Sequence, residues 1–503
     1  MSSVLAASPS TADGFLALGV SPLLTSALAK AGITSPFPIQ SATLPDSLAG
    51  RDVLGRGRTG SGKTYAFALP VLQRLAGSSA KRSPGRPRAL ILAPTRELAS
   101  QIDAAMSPLA KALGLRTLTV FGGVAANPQI TALRGGVDIV IACPGRLADH
   151  MQSGHAKLDR VEVTVIDEAD HMADLGFLPV VRRLLDKTPP DGQRLLFSAT
   201  LDAAVDVLVR RFLTNPVTHS VDSAQSPVAA MSHHVLHVAG DSRVPVLVDL
   251  TSAPGRTLVF TRTKHGAKIL ARKLTAAGVP ALELHGNLSQ NARTRNLTAF
   301  SDGSTNTLVA TDIAARGIHV DDVSLVVHAD PPVEHKAYLH RSGRTARAGA
   351  EGTVVTLMTD AQVSDVRDLT RRAGIKPMIT RLSAGHPLLA QIAPGKRELD
   401  HRAAISNLDD RTAKRSGTRR SGHGRSSRRG AVEAVRGGAV GGYSSDGTAR
   451  RSSDQPARHN NGAAGSRRQT SRQRGYGGSA AQSASSAAAF SAQSRPAPRR
   501  RNR

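Results

Sequence analysis

The chain has 503 residues with 40% hydrophobic content, which predicts about two to four domains with buried cores. Its formal net charge of +28 indicates a polyanionic partner, a nucleic acid or an acidic membrane surface. The single cysteine, Cys143, excludes an internal disulfide framework and is typical of a reducing cytosol, so we expect a cytoplasmic protein. No signal peptide or membrane span is predicted, because the first ten residues lack a basic segment and no apolar run is long enough.

The chain begins with apolar residues at helical spacing between Leu16 and Ala31, followed by Gly32, which predicts a helix that ends there. Residues 36–40 then predict a loop that leads into a second helix. Gln40 has two interpretations: an ordinary residue at the start of a helix, or an amide that recognises an adenine edge by donating and accepting hydrogen bonds together.

The next element is a short apolar strand at Val53 followed by a glycine-rich loop. Gly57, Gly62, Lys63 and Thr64 have the spacing of a phosphate-binding loop, in which backbone N–H groups and a helix N-terminus surround phosphates. Lys63 would reach the β- and γ-phosphates, and the Thr64 hydroxyl would bind Mg²⁺. The alternative is a glycine-rich turn without function.

Buried strands that alternate with helical stretches predict a parallel sheet built from βαβ units. These strands lie at residues 89–94, 138–143, 163–167 and 194–200. The third ends in carboxylates at the edge where ligands bind in such sheets. Asp167 is placed to hold Mg²⁺, and Glu168 to orient or deprotonate a water molecule; the alternative is a solvated acidic turn.

A second half repeats the alternation, with strands predicted at residues 257–261, 307–311, 323–328 and 352–358. It has no second phosphate-binding loop, so it would complement a nucleotide site formed by the first half. Arg344 and Arg347 would share one helix face, where planar guanidinium groups suit a transferred phosphate. An arginine pair by itself is more often a solvated face.

Together these motifs resemble the DEAD-box ATP-dependent RNA helicases, and the basic tail resembles that of the bacterial RhlE-like kind. The resemblance covers roughly residues 14–360. It is carried by Phe15 with residues 36–40, the phosphate-binding loop, residues 94–98, 122–123, 167–170 and 198–200, Gln290 with Arg293, and residues 310–317 and 340–347.

The resemblance implies an α/β fold of two tandem RecA-like domains around one ATP, followed by a disordered tail. The expected boundaries are a flexible N-terminus at residues 1–13, domain 1 at 14–220, a linker at 221–232, domain 2 at 233–385 and an Arg/Gly/Ser-rich RNA-binding tail at 386–503.

The resemblance also implies roles for individual residues. ATP would be bound by Phe15, Gln40, Arg58, Thr59, Gly60, Ser61, Gly62, Lys63, Thr64, Asp312, Arg344 and Arg347, and Mg²⁺ by Thr64 and Asp167. The catalytic residues would be Lys63, Asp167, Glu168, Arg344 and Arg347. Asp170, Ser198, Thr200 and His340 would couple the two domains. RNA would be contacted by Thr95, Arg96, Gly122, Gly123, Arg146, Arg262 and Thr311.

Four positions depart from the family pattern. Ile33 and Phe37 stand where an aromatic residue and a threonine are usual, so stacking on adenine is weaker or differently built. Cys143 replaces a threonine, which loses an RNA phosphate contact or simply packs, and His319 replaces an aspartate.

The residues from 401 onwards carry 22 Lys and Arg against 5 Asp and Glu, so they hold more than half of the net charge. We expect disorder and salt-sensitive, sequence-independent binding of RNA there, with a purely solubilising tail as the alternative. The protein is expected to be a monomer, with ribosomal subunits or RNA-decay machinery as further partners. An ATP-gated RNA clamp and a DNA-directed helicase of the same superfamily are the alternative functions.

Overall fold

The computed structural model describes residues 13–57, 60–221, 231–315, 320, 322–346 and 351–400. Two α/β domains account for this part of the chain, each built on one parallel sheet with helices on its faces. The predicted fold class is therefore confirmed. None of the described helices is both long and apolar enough to cross a membrane.

Domain 1 contains seven described strands. They are β1 (Val53–Arg56), β2 (Ala89–Leu92), β3 (Thr117–Val120), β4 (Ile139–Ala142), β5 (Val163–Asp167), β6 (Gln193–Ser198) and β7 (Val217–Ser220). Its helices are α1 (Asp13–Ala17), α2 (Pro22–Lys30), α3 (Pro38–Leu48), α4 (Lys63–Gly77), α5 (Arg96–Ala112), α6 (Asn127–Arg134), α7 (Pro144–Gln152), α8 (Ala169–Asp174), α9 (Leu178–Leu185) and α10 (Ala203–Phe212).

Domain 2 also contains seven described strands. They are β8 (Met231–His237), β9 (Arg256–Thr261), β10 (Ala281–Leu284), β11 (Thr307–Thr311), β12 (Val323–His328), β13 (Gly352–Met358) and β14 (Met378–Arg381). Its helices are α11 (Arg243–Thr251), α12 (Lys264–Ala276), α13 (Gln290–Ser301), α14 (Asp312–Ala315), α15 (His335–Ser342), α16 (Val363–Arg372) and α17 (Pro387–Ile392).

The two sheets have the same strand order. In domain 1 it is β3-β4-β2-β5-β6-β1-β7, and in domain 2 it is β10-β11-β9-β12-β13-β8-β14, so strand n of one corresponds to strand n + 7 of the other. The central strands β2, β4, β5 and β6 are buried along their whole length by helices on both faces. Their carboxyl ends form the edge at which ligands bind in open parallel sheets.

The helix predicted between Leu16 and Ala31 is two helices in the structure. Helix α1 ends at Ala17 and α2 begins at Pro22. Proline is accommodated in the first turn of a helix but not in its interior, so a new helix begins there. The predicted linker at 221–232 is shorter at its far end, because β8 already begins at Met231.

The tail predicted from residue 386 was wrong for residues 386–400, because domain 2 continues through them. Leu389 and Ile392 of α17 are buried in the domain 2 core. The Glu398 N–H donates to the Ser252 carbonyl at 2.8 Å. Helix α17 has only six residues, which is too short to show a helical apolar repeat. The tail expected beyond residue 400 lies outside the described residues.

Candidate active site

The glycine-rich loop connects β1 to α4 and brings its backbone close to the start of α3. Gly62, the residue before α4, has a φ of 89°, a conformation that glycine adopts without a steric penalty. A Cβ at Gly62 would lie 2.9 Å from Cβ of Phe37. Gly60 also has a positive φ, at 90°. A Cβ added at Gly57 would lie 2.8 Å from Oγ of Ser61, so the loop is tightly folded there as well. The predicted Arg58 and Thr59 lie outside the described residues.

Lys63 is the first residue of α4, and its side chain is buried. Lys63 is 6% exposed, and its Nζ has no hydrogen-bond partner among the described residues. An ammonium group buried without a partner is costly unless an anion occupies the space beside it. The neighbouring glycine backbone and the N-terminus of α4 favour the same charge, so this place fits the phosphates of a nucleotide. Thr64 follows Lys63 and is partly exposed.

Gln40 connects the segment before α3 to this loop. Its Nε2 donates to the Gly62 carbonyl at 2.8 Å, and its Oε1 accepts from the Phe37 N–H at 2.9 Å. One N–H of the amide and one lone pair of its oxygen remain, which is what an adenine edge would require. Gln40 is fully buried and Phe15 is 1% exposed within the domain 1 core, so the contacts of both residues with a nucleotide stay predictions.

Asp167 is the last residue of β5, and its carboxylate is buried at the same edge of the sheet as the loop. Burial raises the pKa of Asp167 to about 7, although the charge of Lys63 opposes the increase. A divalent cation would offset this burial. Mg²⁺ needs few protein ligands, because water and phosphate oxygens complete its shell, and Asp167 with the Thr64 hydroxyl fits that requirement. Within the described ranges no cluster of three or more acidic, histidine or cysteine side chains suggests another metal.

Glu168 follows directly and adopts a left-handed conformation, with φ 53° and ψ 54°. Its Oε2 lies 2.8 Å from Nδ1 of His171, and both side chains are buried. Burial alone would raise the pKa of Glu168. The hydrogen bond and charge of His171, with the charges of Lys63 and Arg344, lower that pKa overall. The carboxylate is therefore ionised and able to accept a proton or orient water.

Three of the predicted coupling residues form one hydrogen-bonded group. Both the N–H and the hydroxyl of Thr200 donate to Oδ2 of Asp170, at 3.0 and 2.9 Å. The Asp170 N–H donates to Oγ of Ser198 at 3.2 Å, and that hydroxyl donates to the Thr200 carbonyl. This group joins the start of α8 to the loop after β6.

The fourth coupling residue, His340, belongs to domain 2. Helix α15 places its ring centroid 6.5 Å from that of His171. Arg344 follows α15, is buried, and donates from Nε to the His340 carbonyl at 3.3 Å. Its charge contributes to lowering the pKa of Glu168. Domain 2 thus brings His340 and Arg344 near Glu168 and His171 of domain 1, whereas Arg347 lies outside the described residues.

Asp312, at the start of α14, is engaged by its own domain. Nη2 of Arg341 donates to its Oδ2 at 2.7 Å, and Nε of Arg341 donates to the other oxygen. Arg341 also lies 5.1 Å from the centroid of the Phe260 ring. The expected contact of Asp312 with a ribose stays a prediction, since any such contact would share this carboxylate with Arg341.

The RNA-contacting candidates of domain 1 form a second group near the start of α5. Thr95 caps α5 through its hydroxyl, which accepts from the Leu98 N–H at 3.2 Å. Arg96 lies so close to Gly123 that a Cβ there would be 2.1 Å from its Nη1. Arg146 donates from Nη1 to the Val124 carbonyl at 3.3 Å, beside Gly122. Two guanidinium groups therefore border the Gly122–Gly123 turn.

The candidates of domain 2 lie at the ends of neighbouring strands. Thr311 pairs in register with Thr261, and the exposed Arg262 follows Thr261. The Arg262 N–H donates to Oδ2 of Asp330 at 2.8 Å. Cys143, one of the departures, precedes α7, and burial raises the pKa of its thiol to about 12, so the thiol is neutral.

Direct contacts join the two domains beside these groups. Arg293 donates from Nε to Oε1 of Glu97 at 2.8 Å, and Arg96 donates from Nη1 to Oε1 of Gln290 at 3.0 Å. Lys336 donates from Nζ to Asp202 at 2.8 Å and contacts Asp174 at 3.2 Å.

Our sequence interpretation did not identify His171, Lys336 or the acceptors of Lys336. None of them belongs to the motifs that carried the resemblance. The i to i+3 spacing of Glu168 and His171 on a short helix was the one sequence signal that pointed to such a contact.

Comparison with known proteins agrees with the family resemblance seen in the sequence. Residues 37–208 match the family model for DEAD/DEAH box helicases, and residues 242–349 match the model for the helicase conserved C-terminal domain. DEAD-box ATP-dependent RNA helicase 20 of Arabidopsis thaliana is 39% identical over 72% of this chain and 73% of its own length. The ATP-dependent rRNA helicase RRP3 of Mycosarcoma maydis is 38% identical over 79% of this chain and 70% of its own length.

Other relatives are longer. The chain spans only 49% of the chloroplastic DEAD-box ATP-dependent RNA helicase 3A of Zea mays, at 41% identity over 71% of this chain. Among solved structures, S. cerevisiae Dbp5 bound to RNA and ADP BeF3 aligns with a TM-score of 0.67 at 27% identity, over 76% of this chain and 99% of that one. From the two family models and these relatives, we conclude that the chain belongs to the DEAD/DEAH box helicase family.

Proposed function

We propose that this protein is an RNA-stimulated ATPase that uses ATP hydrolysis to separate or remodel RNA duplexes and RNA–protein complexes locally. The observation that carries the proposal is the approach of domain 2 to the carboxylates of domain 1. Arg344 influences Glu168 electrostatically, and His340 faces His171 at 6.5 Å. A phosphate bound at Lys63 would therefore lie between groups from both domains.

Each residue has a defined task in this proposal. Lys63 and the loop backbone bind the phosphates of ATP, while Gln40 reads the adenine edge. Glu168 orients the attacking water and accepts its proton, and Arg344, with Arg347, stabilises charge on the transferred phosphoryl group. Held by Thr64 and Asp167, Mg²⁺ would supply charge neutralisation at the phosphate oxygens.

RNA is the proposed nucleic acid because two groups of candidate residues could bind one strand across both domains. In domain 1 they surround the Gly122–Gly123 turn, and in domain 2 they follow β9 and β11. The Arg96–Gln290 contact joins the first group to domain 2. A strand that spans both groups would favour the arrangement in which Arg344 faces Glu168, so RNA and ATP would stabilise the same closed state. The solved structure of Dbp5, a protein similar in fold, contains RNA.

The test is ATP hydrolysis measured alone, with RNA, and with DNA of the same sequence. We expect RNA to stimulate hydrolysis and DNA to stimulate it weakly, because contacts to 2′-OH groups distinguish the two. Equal stimulation by DNA would favour the DNA-directed alternative. A strand-displacement assay then separates a helicase from an ATP-gated clamp, which would bind RNA and hydrolyse ATP without releasing a strand.

Two variants test the assigned residues. Lys63→Ala should abolish nucleotide binding, measured with a fluorescent ATP analogue, because it removes the buried cation. Glu168→Gln should bind ATP and RNA tightly but hydrolyse ATP at a rate lower by roughly 10²-fold or more, because it removes the proton acceptor. Turnover by Glu168→Gln at the parental rate would contradict the role of this carboxylate.

The finer assignments belong to the same proposal. We propose a monomeric, cytoplasmic protein whose basic tail holds RNA near the active site, with ribosomal subunits or RNA-decay machinery as partners. The RhlE-like subgroup rests on the basic tail alone, since the relatives described above are plant and fungal proteins. Cleavage of the tail should weaken RNA binding, and the difference should disappear at high salt.

A further inference from the structure

We propose that His171 is a positioning residue that holds the Glu168 carboxylate in the orientation needed for hydrolysis, by donating a hydrogen bond from Nδ1. The inference rests on the proposed ATPase function and extends it to a side chain outside the recognised motifs. His171 touches no part of the phosphate-binding loop in the contacts described above, so it acts through Glu168.

Glu168 has an unusual backbone conformation. This residue precedes α8 in the left-handed region, which costs a residue with a side chain on the order of 1–2 kcal/mol. Its side chain makes no capping bond to the α8 backbone. Oε2 instead lies 2.8 Å from Nδ1 of His171, one helical turn later. The histidine therefore holds a carboxylate that the start of α8 itself does not hold.

The surroundings of the His171 ring leave one polar contact for it. Nδ1 lies 2.8 Å from Oε2 of Glu168, and the proposal assigns the hydrogen of this bond to Nδ1. The side chain of His171 is 5% exposed, and its Nε2 is buried without a hydrogen-bond partner in the described part of the chain. The bond to Glu168 is thus the polar contact that this ring makes through its nitrogens. A histidine kept for packing alone would not require this pairing.

His171 lies between the Glu168 carboxylate and domain 2. Its ring is in contact with Glu168 and faces the His340 ring at a centroid distance of 6.5 Å. His340 lies four residues before Arg344, whose charge acts on Glu168. The side chain that fixes Glu168 is therefore covered by the same segment that supplies the arginine, which links the orientation of the carboxylate to closure of the domains.

The test compares His171→Asn with His171→Gln. The asparagine amide nitrogen lies near the position of Nδ1, whereas the glutamine amide nitrogen lies near that of Nε2, so the first can still donate to Glu168 and the second cannot. We expect kcat of the RNA-stimulated reaction to fall less than about 3-fold in His171→Asn. It should fall at least about 10-fold in His171→Gln and in His171→Ala. KM for ATP, and RNA affinity with a non-hydrolysable ATP analogue, should change little, because neither site contains His171.

Controls separate positioning from folding. His219 and Asp46 form another histidine–carboxylate pair in domain 1, at 2.8 Å between β7 and α3, and His219→Ala should keep the parental kcat. Thermal unfolding of all variants measures stability directly. In a Glu168→Gln background, the change of His171 to Gln should have no further effect on residual hydrolysis, because the group that it positions is already inactive.

Equal losses of kcat in the asparagine and glutamine variants would overturn the inference, and so would parental kcat in all three. A further loss of activity in the Glu168→Gln background would overturn it as well, even where a single variant is unstable. Absence of RNA-stimulated hydrolysis in the parent would instead overturn the proposed function and this inference together.

Discussion

Two neighbouring carboxylates, Asp167 and Glu168, differ in the direction in which their pKa values are displaced. Burial raises the pKa of Asp167, while the hydrogen bond from His171 and nearby positive charges lower that of Glu168. Opposite displacements in adjacent acids are typical of sites where the two have different tasks. These directions agree with the proposed roles, in which Asp167 would bind the cation and Glu168 would orient the attacking water.

Phe37 provides a prediction about nucleotide affinity. Its side chain is beside Gly62 and 47% exposed, whereas Ile33, at the usual place of the stacking aromatic, packs partly buried against the core. We expect Phe37→Thr, which introduces the residue usual in the family, to raise KM for ATP roughly 3- to 10-fold with little change in kcat, because a stacking ring is lost.

The control for Phe37 is Leu23→Ala, which removes an apolar side chain of similar exposure from α2. Both variants would be assayed for RNA-stimulated hydrolysis across a range of ATP concentrations. An unchanged KM in Phe37→Thr would show that the ring does not contact the nucleotide.

At this scale the strand–loop–helix arrangement around Gly62 and Lys63 was predictable, because glycines and a lysine at this fixed spacing are typical of a phosphate-binding loop. The burial of Phe15 was not predictable, since the sequence does not distinguish a buried ring from an exposed one. His171 and Lys336 were missed because their partners become neighbours only through a helical turn or through docking of the two domains.

Helix α15 carries residues that contact domain 1 and residues that hold its own domain together. It contains Lys336 and His340, and Arg344 follows it two residues after its end. Its Arg341 donates to Asp312, the first residue of α14. Lys336 binds carboxylates at the end of α8 and at the start of α10, both in domain 1. Burial alone would lower the pKa of Lys336, but the two aspartates raise it overall, so the ammonium is charged.

Lys336→Ala should weaken closure of the two domains. A partly exposed ion pair contributes up to about 1 kcal/mol, so we expect the RNA concentration for half-maximal ATPase activity to rise roughly 2- to 5-fold, with a larger effect at low salt. Lys273→Ala, which removes an exposed lysine of α12, is the matched control. Additive effects of Lys336→Ala and Asp174→Ala would contradict a direct interaction between these residues.

The strands that the sequence predicted are those in the interior of the sheets. The edge strands β3, β7, β10 and β14, and β8 beside the edge, were missed. Each edge strand has four residues and mixes polar with apolar side chains, so none shows the continuous apolar run from which the interior strands were predicted. Their pairing depends on a neighbouring strand far away in the chain.

The revised end of domain 2 leads to a prediction about truncation. A protein that ends at residue 385 lacks Leu389 and Ile392, and the loss of each buried aliphatic side chain costs about 1.5–3 kcal/mol. It also lacks the Arg397–Asp249 ion pair at 2.7 Å. We expect it to unfold at clearly lower urea concentration than a protein that ends at residue 400. Equal midpoints would show that α17 contributes nothing to the domain.

For the whole molecule, buried histidines in domain 2 predict a loss of stability in acid. Burial lowers the pKa of His233 to about 4 and lowers that of His328 well below its usual value. Below pH 6.5 the unfolded chain therefore binds protons that the folded chain does not, and each histidine removes up to about 1.4 kcal/mol of stability per pH unit. Asp167 has the opposite effect on stability. Its raised pKa lets the folded chain bind a proton as the pH falls below about 7, and this stabilises the folded chain in acid.

The measurement is urea unfolding between pH 5 and pH 7. His328→Asn removes one titrating group, so its stability should fall less steeply with decreasing pH than that of the parent, whatever its stability at neutral pH. An identical pH slope in the two proteins would contradict the burial of an uncharged His328.

The matching strand order of the two sheets has a consequence for stoichiometry. The segment of domain 2 equivalent to the glycine-rich loop connects β8 to α11 and contains one glycine, Gly240. Arg243 stands at the first position of α11, where α4 has Lys63, but its guanidinium group is already paired with Asp330. This segment therefore lacks both the glycine-rich backbone and the free cation that a triphosphate requires. Although the architecture is duplicated, equilibrium dialysis should count a single mole of ATP per mole of chain. Domain 2 would contribute side chains to that one site and would not form a second site.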